Sequence, residues 1–174
     1  TVRVIPNMTV LEVGDATEVE SILDVAHAID GPVYLRMLRG EVPRLFDTPM
    51  EFNKARVLTC AGEDINEPAD IVIVTSGICT EEAMRAVPAI VDRGLKVTHL
   101  HVSTLKPFSD PTVTAALASA RKGVITMENH LVTGGLGSAV AEVMAENAMA
   151  VPLSRIGLTD TYAHAAPLLY LLKA

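Results

Sequence analysis

No apolar run in this 174-residue chain approaches the roughly 20 residues a membrane-spanning helix needs, and no secretory leader is expected. No cluster of lysine and arginine appears either, and the net charge is −7. A general nucleic-acid binder needs a basic patch to neutralise phosphates, so neither nucleic acid nor a membrane is expected as a partner. Cysteine is scarce. Cys60 and Cys79 have neither the spacing of a zinc knuckle nor the density of a disulfide scaffold, which predicts two buried thiols in a soluble protein of the reducing cytoplasm. What is plentiful is apolar: 49% of the residues are hydrophobic, ample for a core.

Apolar periodicity alternates between strand and helix along the chain. Val2, Val4 and Ile5 read as part of a sheet, followed by the turn Pro6–Asn7 and a strand at Met8–Val13. Asp15 and Glu18 have the spacing of a capping box, with Val19, Ile22, Leu23, Ala26 and Ile29 expected on the buried face of a helix ending near Asp30–Gly31. A strand at Val33–Leu38 completes a β-α-β unit, which buries too little to stand alone and reads as the remnant of another α/β domain. Residues 46–68 break the pattern, like a linker with a short strand at Arg56–Cys60.

A fresh alternation then begins: strand Ile71–Ser76, helix Glu81–Arg93, strand Val97–Val102, helix Pro111–Arg121, strand Val124–Met127, helix Leu136–Asn147, strand Leu153–Ile156 and a last helix from about Ala165. This predicts a mostly parallel open α/β sheet with helices on both faces over 69–174, after a first unit at 1–45. Thr80 and Asp110–Pro111 are expected helix caps, and Pro88 is expected to kink its helix.

The polar stretch Glu128–Asn129–His130 falls where a strand is expected to end, the edge at which open α/β sheets place function. Gly134, Gly135 and Gly137 then open a helix. Gly135-x-Gly137 lacks the third glycine of a dinucleotide fingerprint and its downstream acidic residue, so a tight turn with close helix–sheet approach is the expectation. Glu128 and His130 are candidates for an acid–base pair or for ordering a loop or subunit contact. His99 and His101 share one strand face, but no third ligand is near, so no metal is expected. His27 and His164 read as structural or solvated, and Lys106–Pro107 as a turn.

Three stretches together resemble the transketolase family. They are Ile5–Met8 through Asp15-x-x-Glu18, with Gly31–Arg36 and Leu38–Gly40; Asp70–Gly77 with Thr104–Pro107; and Met127–His130 with Gly134–Ser138, Ile156–Leu158 and Asp160. The resemblance implies the end of a pyrimidine-binding domain followed by the family's C-terminal domain. Arg39–Gly40 before Val42–Pro43 is most similar to transketolases, including those split into two subunits, and Arg36 with Arg39 is also similar to 1-deoxyxylulose-5-phosphate synthase.

What the family implies is a thiamine diphosphate and Mg²⁺ enzyme, acting on sugar phosphates as a homodimer or in complex with an N-terminal subunit. Its essential glutamate and cofactor pocket belong to sequence outside this chain, so the chain alone is expected to be inactive. Arg39 matches the arginine that transketolases send to the sugar phosphate, and its planar guanidinium suits that anion. Arg36 is a second phosphate candidate or the partner of a carboxylate. A non-catalytic assembly module of the same fold is the remaining alternative.

Overall fold

The computed structural model describes residues 2–162. Its elements are a 3-10 turn at Val2–Val4, β1 (Thr9–Glu12), α1 (Ala16–His27), β2 (Val33–Arg36), β3 (Arg56–Thr59), β4 (Ala69–Thr75), α2 (Cys79–Val91), β5 (Val97–His101), β6 (Thr104–Lys106), α3 (Pro111–Ser119), β7 (Ala120–Leu131), α4 (Leu136–Glu146) and β8 (Leu153–Leu158). They form a three-stranded sheet in the order β2-β1-β6 and a five-stranded sheet in the order β3-β5-β4-β7-β8. The α/β architecture is the one the alternation predicts. The last expected helix and His164 lie outside the described residues.

In the larger sheet β5-β4-β7-β8 are parallel and only β3 runs antiparallel, at the edge. Alternation along β4 sends Val72 and Val74 to one face, under Leu117 of α3 and Leu136 and Val140 of α4. Ile71 and Ile73 turn to the other face, under Ala83 and Val87 of α2. Helices thus cover both faces, as continuous apolar strands require. The order also creates a switch point at the carboxyl ends of β4 and β7, since the connections from β4 and into β7 leave on opposite sides.

Several local expectations are corrected. Val2, Val4 and Ile5 are not in a sheet. Val19 is 39% and Leu23 65% exposed, because the cluster of Leu11, Val13, Ile22 and Met50 covers only a narrow stripe of α1. Thr80 does not cap α2, which starts at Cys79 after Ile78; its hydroxyl turns inward to the sheet. The helix continues through Pro88 to Val91. Cys79 is buried but Cys60 is only half-buried. By contrast, Asp110 caps α3 as expected, accepting the Thr112 N–H at 2.9 Å with Pro111 in the first turn.

One strand, β6, escaped the sequence pattern, and β7 contains the expected Val124–Met127 but is longer at both ends. The three-residue β6 crosses to the smaller sheet and pairs antiparallel with β1, stitching the two sheets together. Helix α3 stops at Ser119 and β7 begins at once, running on to Leu131. Its register slips between Met127, opposite Ile156, and Leu131, opposite Leu158. Glu128–Asn129–His130 therefore occupy a bulge within a strand and not a strand tip, and a bulge re-aims its side chains.

Candidate functional site

The carboxyl ends of β4, β5 and β7 meet the smaller sheet, and it is the chain's own carboxylates that enter the switch-point crevice. Glu12, at the end of β1, is 1% exposed. It pairs with the Arg36 guanidinium, accepts the Ser76 hydroxyl at 2.9 Å, and lies 3.5 Å from His130 Nε2. Arg36 also donates to Asn129 Oδ1 at 2.6 Å, so strand ends from both sheets share one network. Gly77 turns beside it at φ +55, and a Cβ there would press on the Glu12 carboxylate, which makes glycine the residue that fits.

A second carboxylate, Glu18, is fully buried. Asp15 caps α1 by accepting the Glu18 N–H at 2.8 Å. The return bond expected of a capping box goes to the Gly14 N–H, while the Glu18 carboxylate takes Arg56 Nε at 3.0 Å, Ser103 Oγ at 2.7 Å and His101 Nε2 at 3.0 Å. Burial pushes the Glu18 carboxyl up, but hydrogen bonds from His101, Ser103 and Gly14 outweigh it and hold the group down at about 2.

His99 and His101 do share one face, turned toward α2. His99 Nε2 meets Thr75 Oγ1 at 3.0 Å, Thr75 meets Thr80 at 2.9 Å, and Thr80 meets His101 Nδ1 at 2.6 Å. The Thr75 hydroxyl also donates to the Leu100 carbonyl at 3.2 Å, and His101 Nε2 lies 3.0 Å from Glu18, so the chain of polar groups runs from β5 through β4 and α2 to the buried carboxylate. His99 Nδ1 is left buried without a partner. Burial, aided by His101, pulls the His99 pKa down to about 4, so its ring stays neutral.

Glu128, 1% exposed, occupies the anion position that the glycine-rich turn creates. Its oxygens accept the N–H groups of Leu136 and Gly137, both at 2.8 Å, at the positive end of α4. A Cβ at Gly135 would collide with this carboxylate, so the glycines serve close approach of chain to strand. His130 Nδ1 lies 2.8 Å from Glu128 Oε2, which places the imidazole between Glu128 and Glu12.

Of the candidates from sequence, Arg36, Glu128 and His130 converge here. Arg39 stands exposed beyond β2, on a hollow of about 80 Å³ that also touches Glu12, Arg36 and Asn129. A larger cleft of about 270 Å³ runs between Tyr34, Arg36, His130 and the Gly134–Gly135 turn. Sequence reasoning missed Arg3, which donates to Leu105, Gly134 and Gly135 carbonyls and pairs with Glu142. It also missed Glu12 and the long-range use of Glu18, whose only sequence signals were acidic residues on an otherwise apolar strand and in a helical first turn.

The described residues hold no group of three His, Cys, Asp or Glu side chains suited to a metal ion. Phe46, the buried aromatic, is already engaged with His101 and Arg56. None of the described helices is long and apolar enough to cross a membrane.

Comparison with known proteins places this arrangement. The family model described as transketolase, C-terminal domain, matches residues 60–173. The chain is 35% identical to the putative uncharacterized transketolase family protein y4mN of Sinorhizobium fredii, over 95% of this chain and 47% of that protein. It is 38% identical to the 6-deoxy-6-sulfo-D-fructose transketolase subunit SqwH of a Clostridium species, over 92% of this chain and 48% of that one. Among solved structures, a split gene transketolase described as an inactive beta4 tetramer superposes with a TM-score of 0.83 at 34% identity, covering 97% of this chain and 53% of the other. The chain spans about half the length of these two curated relatives.

Proposed function

This chain belongs to the transketolase family through its C-terminal domain, and from that premise we propose that it is the C-terminal half of an enzyme transferring a two-carbon ketol unit between sugar phosphates. In this reading residues 1–45 complete a pyrimidine-binding domain, 46–68 link, and 69–174 form the C-terminal domain. The complementary half, as a separate subunit or a joined segment, holds thiamine diphosphate and Mg²⁺ and supplies the cofactor's carbanion chemistry. The contribution of this chain is to bind the donor's anionic end.

The observation that carries the reading is the placing of the two arginines. Arg36 is engaged by Glu12 and Asn129. Arg39 makes no ion pair among the described residues and faces the hollow from the solvent side. A free guanidinium at a strand exit beside a polar hollow suits a tetrahedral anion.

The test is made with the complementary half present. Arg39→Ala removes a charge-assisted bond worth about 1.5–3 kcal/mol, so kcat/KM for phosphorylated ketose donors falls about tenfold or more, with an unphosphorylated donor affected much less. Equal losses for both donors, at an unchanged melting curve, remove Arg39 from the phosphate site. Turnover of pyruvate with a triose phosphate, and none with ketose phosphates, assigns the deoxyxylulose synthase reaction instead. Calorimetry on the chain alone is expected to show no tight thiamine diphosphate binding, and micromolar binding with Mg²⁺ overturns the assignment of that site to the other half.

A further inference from the structure

The hollow at Arg39 holds a feature that phosphate binding does not require. Glu12 lines it together with Arg36 and Arg39, which sets one buried carboxylate among the groups that face an incoming anion. It cannot swing away. Its backbone N–H is bound to the Ser103 carbonyl at 2.8 Å, its side chain is 1% exposed, and its oxygens are held by Arg36 and Ser76 with Gly77 packed against them. The Glu12 charge cancels that of Arg36. Of the two guanidinium charges lining the hollow, one remains.

A fixed negative charge repels an anion in proportion to the anion's own charge. Attraction to the two guanidiniums scales with the anion's charge as well, and the Glu12 carboxylate offsets one of them, which narrows the margin of a doubly charged end group over a singly charged one. We propose that Glu12 is a charge-selectivity residue, which tilts the preference of this site away from dianionic phosphate ends and toward singly charged ends such as sulfonates. This rests on the reading that Arg39 meets the donor's anionic end, and it adds the class of end group that the site favours.

The experiment uses the complete protein, with its complementary half, and two small probes at pH 8: inorganic phosphate, mainly a dianion there, and methanesulfonate, a monoanion. Binding is read by calorimetry and by the rise in melting temperature, so no turnover is needed. Glu12→Gln keeps the shape and removes the charge. Phosphate is expected to bind about tenfold more tightly and methanesulfonate about threefold, since repulsion relieved scales with probe charge. Glu12→Asp retains the wild-type ratio. The opposite change, Arg36→Gln, weakens phosphate more than methanesulfonate, and serves as the second variant if Glu12→Gln does not fold.

A phosphate gain no larger than the methanesulfonate gain overturns the proposal. So does the absence of anion binding in every variant. Arg39→Ala separates the two readings. If it abolishes binding of both probes while Glu12→Gln leaves their ratio unchanged, Glu12 loses its role and the phosphate site stands. If it changes neither probe, the phosphate site and the proposal fall together.

Discussion

The five-stranded sheet and the three-stranded sheet bury their strands by different physics. The larger one is closed by its own helices: Val72, Val74 and Leu100 meet α3 and α4 on one face, while Ile73 and Val97 meet α2 on the other. The smaller one has a modest apolar cluster around Leu11 and Ile22 and leaves β2 half-exposed. It is attached through β6 and through Glu12 and Glu18, which enter the carboxyl edge of the larger sheet. Apolar packing is non-directional and tolerates repacking, whereas a buried carboxylate demands its specific partners. The difference teaches that the joint between the sheets is where relative placement is specified, while the larger sheet carries its own stability.

The sharpest way to break that contrast is Glu18→Ala, which removes the carboxylate shared by Arg56 Nε, His101 Nε2, Ser103 Oγ and the Gly14 N–H. Removing one partner of a buried ion pair costs about 3–5 kcal/mol. Hydrogen exchange should show protection lost first in β1 and α1, with β4 and β7 retained; uniform loss across both sheets would erase the distinction.

Leu100→Ala tests the other side. Leu100 is fully buried in the larger sheet, so truncation is expected to cost about 2–5 kcal/mol of the global unfolding free energy by denaturant titration. A loss confined to the smaller sheet would contradict the apolar account.

Acid probes the larger sheet through His99, whose Nε2 meets Thr75 of β4. Its folded pKa of about 4 lies below the ordinary 6.5, so the unfolded chain binds the extra proton in that window. Stability is full above pH 6.5 and declines as the pH falls toward 4, by on the order of 3 kcal/mol from this ring at about 1.4 kcal/mol per unit. Melting curves for wild type and His99→Gln should converge as the pH is lowered through that window. A constant difference between them would remove His99 as the source.

The smallest effect is expected at Arg85 on α2, which pairs with Glu81 and Glu82 at the surface. Arg85→Ala should change stability by less than about 1 kcal/mol, and high salt should erase the change. A larger loss would show that surface pairs also hold the larger sheet.

The sequence alone settled the order of the strands and helices of the larger sheet from β4 to β8, because burial on both sides of a parallel sheet requires continuous apolar runs separated by helical periodicity. It settled the cap at Asp110, since a cap is formed within three residues of the helix it starts, but not the one expected at Thr80, whose hydroxyl turns to the sheet. It pointed to the family through short motifs, and to Arg36, Glu128 and His130 as polar residues it expected at strand ends, of which Glu128 and His130 lie in a bulge within β7. What it did not reveal is what these residues hold. Glu12 lies 64 residues from Ser76 and Glu18 lies 83 from His101, and periodicity carries no information about contacts at such separations. Only the tertiary structure decided that β6 joins the smaller sheet, that a bulge in β7 turns Glu128 onto the start of α4, and that carboxylates fill the switch-point crevice. Burial turns those charges into obligatory partners, and burial is a property of the assembled fold.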